Sequence, residues 1–335
     1  MTKWMLRLFA ALFSLLVIAA VAGMWAFHQT RSLAQQPLPV PKTRELTLQH
    51  GTSFHSLGKL LAEQQLIQYD WRWKLLGKLH PELTAIQSGL YQIDSTDTVN
   101  SLLERIIRGD EKRFFLTLIE GKTVQEWLLY LQTLPHLNVD QQAFNRVLAA
   151  HGDTSEHPEG KFFPDTYQYR ASSGIDSILN QSYLKMQHAL DSVWQQRDSN
   201  LPLETPYELL TLASIIEKET GQESERPLIA AVFINRLRKG MRLQTDPSVI
   251  YGMGARYDGN IRRKDLREAT PYNTYRIKGL PPTPIAAPGL ESLQAAAHPS
   301  DATYLYFVSR NDGSHIFSNT LAEHNKAVDK YQRNR

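Results

Sequence analysis

The 335-residue sequence predicts an α+β fold in three parts: an N-terminal transmembrane helix, a small α+β module, and a larger mixed α/β domain with a glutamate-bearing helix lining a cleft. Three observations predict it. One apolar run near the N-terminus has membrane length. Between residues 45 and 110, short strand-like and helix-like segments alternate. Beyond residue 111, helices with marked ends are separated by loops rich in proline, glycine and aromatic residues.

Leu8 to Phe27 is nearly unbroken in its apolarity, interrupted only by Ser14 and Gly23, and such a run spans a bilayer as a helix. Lys3 and Arg7 precede it, and Trp4, Trp25 and Phe27 suit the two interfaces. Residues 1–7 are expected as a cytoplasmic tail and 8–28 as the anchor. A cleaved signal peptide is the rival, because Ala20-Val-Ala22 resembles a cleavage site; the run continues apolar beyond it, which favours retention. Residues 29–44, with Pro37, Pro39 and Pro41, are expected as an extended stalk. A hydrophobic share of 42% marks the rest as folded. The net charge of +3, with no basic run interleaved with aromatics, gives no support for nucleic acid as a partner. The absence of cysteine excludes disulfides and thiolate metal sites.

Residues 45–110 read as a strand at Leu46–Gln49, helices near Ser53–Gln64 and Tyr69–Leu79, a strand at Tyr91–Ile93 and a helix from Thr98 to Ile107. Leu46-Thr-Leu-Gln-His-Gly-Thr-Ser53 matches Leu116-Thr-Leu-Ile-Glu-Gly-Lys-Thr123, and each leads into an apolar-periodic helix. Such a strand–turn–helix module resembles the LysM-type fold that binds cell-wall glycan; a spacer without a ligand fits equally well. Gly121-Lys122-Thr123 is no phosphate loop, since the glycine required five residues earlier is Leu116.

In the remaining 111–335, the helix Thr205–Gly221 has both ends marked. Thr205 is a good N-cap, Pro206 suits the first helical position, Glu208 completes a capping box, and Gly221 is placed to stop the helix. At about 100° per residue, Leu209, Leu210, Leu212, Ala213, Ile215 and Ile216 make one apolar arc. Glu217 and Glu219 both fall within it, while Lys218 lies on the wet side. A carboxyl among apolar neighbours is paired, solvated in a cleft, or protonated, and the last two describe a general acid. The bland alternative is a helix end where the core surface runs out. Further on, the loops concentrate tyrosines, amides and hydroxyls that suit sugars and equally suit ordinary surface, and Asn311-Asp-Gly313 signals a hairpin.

No Gly-x-Ser-x-Gly elbow, His-Glu-x-x-His or dinucleotide fingerprint occurs, and the eleven histidines show no metal-ligand spacing, so no cofactor or metal is expected. Carboxylate chemistry on a helix is what remains.

Several ordered segments carry a resemblance: Glu159-Gly-Lys-Phe-Phe-Pro-Asp-Thr-Tyr167, Ala213-Ser-Ile-Ile-Glu-Lys-Glu219, Asn235-Arg-Leu237, Gly240-Met-Arg-Leu-Gln-Thr-Asp-Pro-Ser-Val-Ile-Tyr-Gly252, Tyr272-Asn-Thr-Tyr275, Gly279-Leu-Pro-Pro282 and Glu323-His-Asn325. Together they resemble the YceG-like endolytic murein transglycosylases of the MltG type. The resemblance covers the anchor, the LysM-like module and a catalytic domain at 111–335. It implies a single-pass inner-membrane protein whose catalytic part lies in the periplasm. Its substrate would be nascent peptidoglycan glycan strands, and peptidoglycan synthases are the partners the family suggests. The family's catalytic glutamate falls on Glu217. Gln244, Thr245, Asp246, Tyr272 and Asn273 are the candidate substrate-binding residues. Two other classes stay open: a hydrolase using Asp246 or Glu219 as a second carboxylate, and a non-catalytic wall-binding scaffold.

Overall fold

The computed structural model describes residues 3–333 and is a mixed α+β chain. It divides into two compact units. The first ends at Phe114 and takes in Arg170–Ser172; the second holds Phe115–Tyr169 and continues from Ser173.

In the first unit, α1 (Lys3–Ala34) is a 32-residue helix, long and apolar enough to cross a membrane. It runs through the start of the expected stalk without a break, and Thr30 and Leu33 in its last turns are buried. The proline-rich segment that follows is not a free spacer. Pro37, Pro39 and Pro41 face outward while Leu38 and Val40, at alternate positions, are buried. An extended chain points successive side chains to opposite faces, so this alternation sews the segment into the core. The Leu38 N–H donates to the Asp97 carbonyl at 2.8 Å and the Val99 N–H to that of Gln36 at 3.2 Å.

The rest of this unit is an antiparallel pair, β1 (Arg44–Leu48) and β2 (Gly89–Ile93), with Leu46 opposite Tyr91, and three helices, α2 (Phe54–Glu63), α3 (Trp71–Leu79) and α4 (Val99–Arg108). Leu46, Leu57, Leu61, Trp73, Tyr91, Leu102 and Ile106 form its core with Leu33, Leu38 and Val40. The predicted elements are all present, with ends shifted by at most two residues.

Strand β3 (Arg113–Thr117) pairs with β4 (Thr166–Arg170) in a second two-stranded sheet. The sequence repeat is visible in the backbone. Gly51 and Gly121 are both left-handed, at φ 80° and 69°, and the N-caps Ser53 and Thr123 share φ −80°. The two copies nevertheless belong to different units, the second leading into α5 (Val124–Leu131).

The second unit continues with α6 (Ala143–Ala150), α7 (Ile175–Gln196), α8 (Pro206–Glu219), α9 (Arg226–Arg238), α10 (Asp246–Met253), α11 (Leu290–Ala297), the hairpin β5 (Tyr306–Ser309) and β6 (His315–Ser318), and α12 (Leu321–Val328). Helix α8 is its centre: every residue from Leu209 to Ile216 is buried, against α7, α9, α10 and α11. The hairpin turns at Asn311 (φ 65°) and Gly313 (φ 87°), as its Asn-Asp-Gly sequence predicts, and sets Phe307 opposite Phe317.

Candidate active site

The start of α8 follows the sequence in part. The Thr205 hydroxyl accepts the Glu208 N–H at 3.2 Å. The Glu208 carboxylate, however, reaches past the cap and accepts the Glu204 N–H at 2.5 Å, so the reciprocal half of the box goes one residue further out. The end differs more. Helix α8 stops at Glu219, Thr220 is extended at φ −145°, and Gly221 is not left-handed, so the predicted glycine stop is unused.

Glu217 and Glu219 are two residues apart, which on a helix is about 200°. They therefore leave the apolar arc at opposite edges and meet different surroundings. Glu217 faces the N-terminus of α11. Its Oε2 accepts the Gly289 N–H at 3.1 Å and the Ser292 hydroxyl at 2.7 Å. Gly289 is the N-cap of α11, so this carboxylate satisfies a helix end that has no side-chain cap of its own. Glu120 lies against Gly289 so closely that a Cβ there would fall 2.1 Å from its Oε1. Burial, and then the charge of Glu217, push the Glu120 carboxyl above its usual range.

Glu219 faces a cavity of about 500 Å³ lined by Arg236, Gln244, Asp246, Tyr275, Tyr306 and His324, among others. The Thr245 hydroxyl donates to Glu219 Oε1. Burial pushes the Glu219 carboxyl up to about 7; the Thr245 hydrogen bond opposes the shift and the Asp246 charge adds to it. Across the cavity, the Tyr275 hydroxyl donates to Asp246 Oδ1 at 2.7 Å.

The loop carrying these residues is fixed from behind. The buried Arg236 guanidinium donates to the carbonyls of Leu243 at 2.6 Å and Leu305 at 2.7 Å, and desolvation holds its pKa below the usual value. Gln244 takes a left-handed φ of 54°, pinned by its N–H to the Thr274 carbonyl at 3.2 Å. That kink delivers Asp246 into the first turn of α10.

Of the sequence candidates, Gln244, Thr245 and Asp246 thus gather around Glu219. Tyr272 and Asn273 do not line the cavity. The Tyr272 ring packs on Tyr251 with centroids 4.9 Å apart, and its hydroxyl bonds the Thr283 Oγ1 at 3.0 Å. Asn273 is fully buried and staples its loop: its amide donates to the carbonyls of Asp265 at 3.1 Å and Glu268 at 2.7 Å, and its Oδ1 accepts the Tyr275 N–H at 3.0 Å. Arg236, Tyr306 and His324 also line this cavity, and nothing in their spacing shows that α9, β5 and α12 meet here.

The YceG-like family profile matches residues 46–330. A Bacillus subtilis (strain 168) protein named endolytic murein transglycosylase is 30% identical over 330 residues, covering 91% of this chain and 90% of that protein. A Streptococcus pneumoniae serotype 2 protein of the same name is 25% identical over 365 residues, covering 95% of this chain, which spans 64% of that protein. A crystal structure of a YceG-like protein from Listeria monocytogenes superposes with a TM-score of 0.53 at 28% identity, covering 86% of this chain and 99% of that one.

Proposed function

The chain belongs to the YceG-like family, and from that membership and the cavity around Glu219 we propose that it is an endolytic peptidoglycan lytic transglycosylase. It cleaves the β-1,4 bond from N-acetylmuramic acid to N-acetylglucosamine within glycan strands, leaves 1,6-anhydro ends, and so ends strand elongation. The observation that carries the site assignment is Glu219 itself: a carboxyl raised to about 7 on the wall of a cavity beside polar and aromatic side chains.

A protonated Glu219 gives its proton to the glycosidic oxygen as the C1–O bond breaks. The resulting carboxylate takes the proton of the muramic C6 hydroxyl as that oxygen closes onto C1. One group serves as acid and then base, and it ends as it began. Asp246, held by Tyr275, stabilises positive charge developing at C1. Were Asp246 instead to activate water, the products would be reducing ends. Cleavage in ¹⁸O-labelled water separates the two by mass: unlabelled anhydro ends support the lyase, and label at the new end overturns it.

A second assignment keeps the sequence expectation, Glu217, as the acid. Glu120 favours it, because its raised carboxyl gives that edge of α8 a protonatable group too. Against it, Glu217 Oε2 is occupied by two donors.

Helix α1 anchors the protein in the inner membrane, with the catalytic unit in the periplasm near peptidoglycan synthases. The first unit acts as a LysM-like glycan grip. Retention of that unit on purified peptidoglycan tests the grip, and failure to be retained leaves it a spacer.

A further inference from the structure

His324, on α12, lies in the Glu219 cavity with its ring stacked on Tyr306, centroids 5.2 Å apart and planes 26° from parallel. Its Nδ1 is sealed from solvent and has no hydrogen-bond partner. A buried N–H without an acceptor is costlier than a bare lone pair, so the neutral ring keeps Nδ1 unprotonated and carries its hydrogen on Nε2. A charged ring would have to place a second N–H on the sealed nitrogen. Burial, with the Arg236 guanidinium nearby, accordingly holds the His324 pKa below its ordinary value. The imidazole is thus a fixed donor, and Nε2 is the atom through which it can meet a ligand.

We propose that His324 is a substrate-binding residue, donating from Nε2 to an acetamido carbonyl oxygen of an amino sugar in this cavity. A group that only donates is matched best by an oxygen that only accepts, and among the groups of an N-acetylated glycan that describes the amide carbonyl better than the hydroxyls. Tyr306 behind the ring fixes its plane, so little conformational freedom is lost when the bond forms. The inference rests on the assignment of the Glu219 cavity as the active site.

The test separates the two. On a Glu219→Gln background, binding of stem-peptide-free glycan strands is measured by calorimetry. His324→Phe, which keeps the stacking and removes the donor, is expected to weaken binding about 3- to 10-fold, the worth of one neutral hydrogen bond. His324→Gln, which keeps an N–H, is expected to stay within about twofold. In the otherwise native enzyme, His324→Phe should raise KM more than it lowers kcat. If the Phe variant fails to fold, His324→Leu reads the same loss. Unchanged binding by the donor-less variant overturns the inference. Undiminished cutting by Glu219→Gln overturns the cavity assignment instead, whatever His324 does.

Discussion

The two edges of α8 carry the same side chain and do different things with it. At the Glu217 edge the carboxylate meets the donors of a helix terminus, and its Oε2 accepts two hydrogen bonds there. At the Glu219 edge it meets a cavity, one hydroxyl and another carboxylate, and keeps a proton to near neutral pH. What stands opposite a glutamate sets its partners and its readiness to ionise, and a two-residue step along a helix is enough to change both.

The largest effect should come from exchanging each glutamate for its amide. Glu219→Gln is expected to fold normally and lose about 10²–10⁴-fold in strand cleavage, whereas Glu217→Gln should lose less than about 10-fold. Muropeptide release from sacculi measures both, and the opposite ranking would move the acid to Glu217 with Glu120 beside it.

The second contrast is in pH. An acid with a pKa of about 7 works in its protonated form, so kcat/KM should fall roughly tenfold per pH unit above 7. A profile flat to pH 9 would remove Glu219 from that role.

Glu159 sharpens the point, because it also has a carboxyl pushed by burial to about 7, from a usual 4.5, yet lies outside the cavity lining and accepts the Val124 N–H at 3.0 Å. The folded protein keeps this proton where the unfolded chain has already released it. Stability should therefore fall as pH rises from about 4.5 to about 7, by up to about 3 kcal/mol for this group. Glu159→Gln should flatten that slope in chemical denaturation without shifting the alkaline limb of activity; an unchanged slope would count against it.

The smallest effect belongs to the tether. Glu217→Ala removes the side-chain acceptor from the α11 terminus and should cost about 1–2 kcal/mol, read from denaturant midpoints. No loss of stability would mean that water or another side chain satisfies Gly289.

Much of the architecture was legible because it is written locally. Helix starts at Thr98 and Thr205, the Asn-Asp-Gly hairpin and the membrane-length run each follow from a few adjacent residues. The helical wheel likewise marked both Glu217 and Glu219 as carboxylates in apolar company. It could not say which edge meets α11 and which meets open space, since α11 begins 71 residues after Glu219. The same limit applies to His324 and Arg236, which come to one cavity only through the packing of α9 and α12, and to Asn273, whose amide bonds within its own loop. The alternation of proline with Leu38 and Val40 was on the page as well; a proline-rich composition read as a stalk concealed a strand-like period of two.

That sewn segment has a geometric consequence. A loose tether would let the first unit wander over a hemisphere, but here the end of α1 is continuous with the core it precedes. The helix then behaves as a shaft with the unit keyed to it. At about 1.5 Å and 100° per residue, each residue in α1 sets both the height and the compass bearing of the unit. One inserted residue ahead of Thr30 would turn the whole unit by more than a quarter of a circle while raising it by less than the width of an atom.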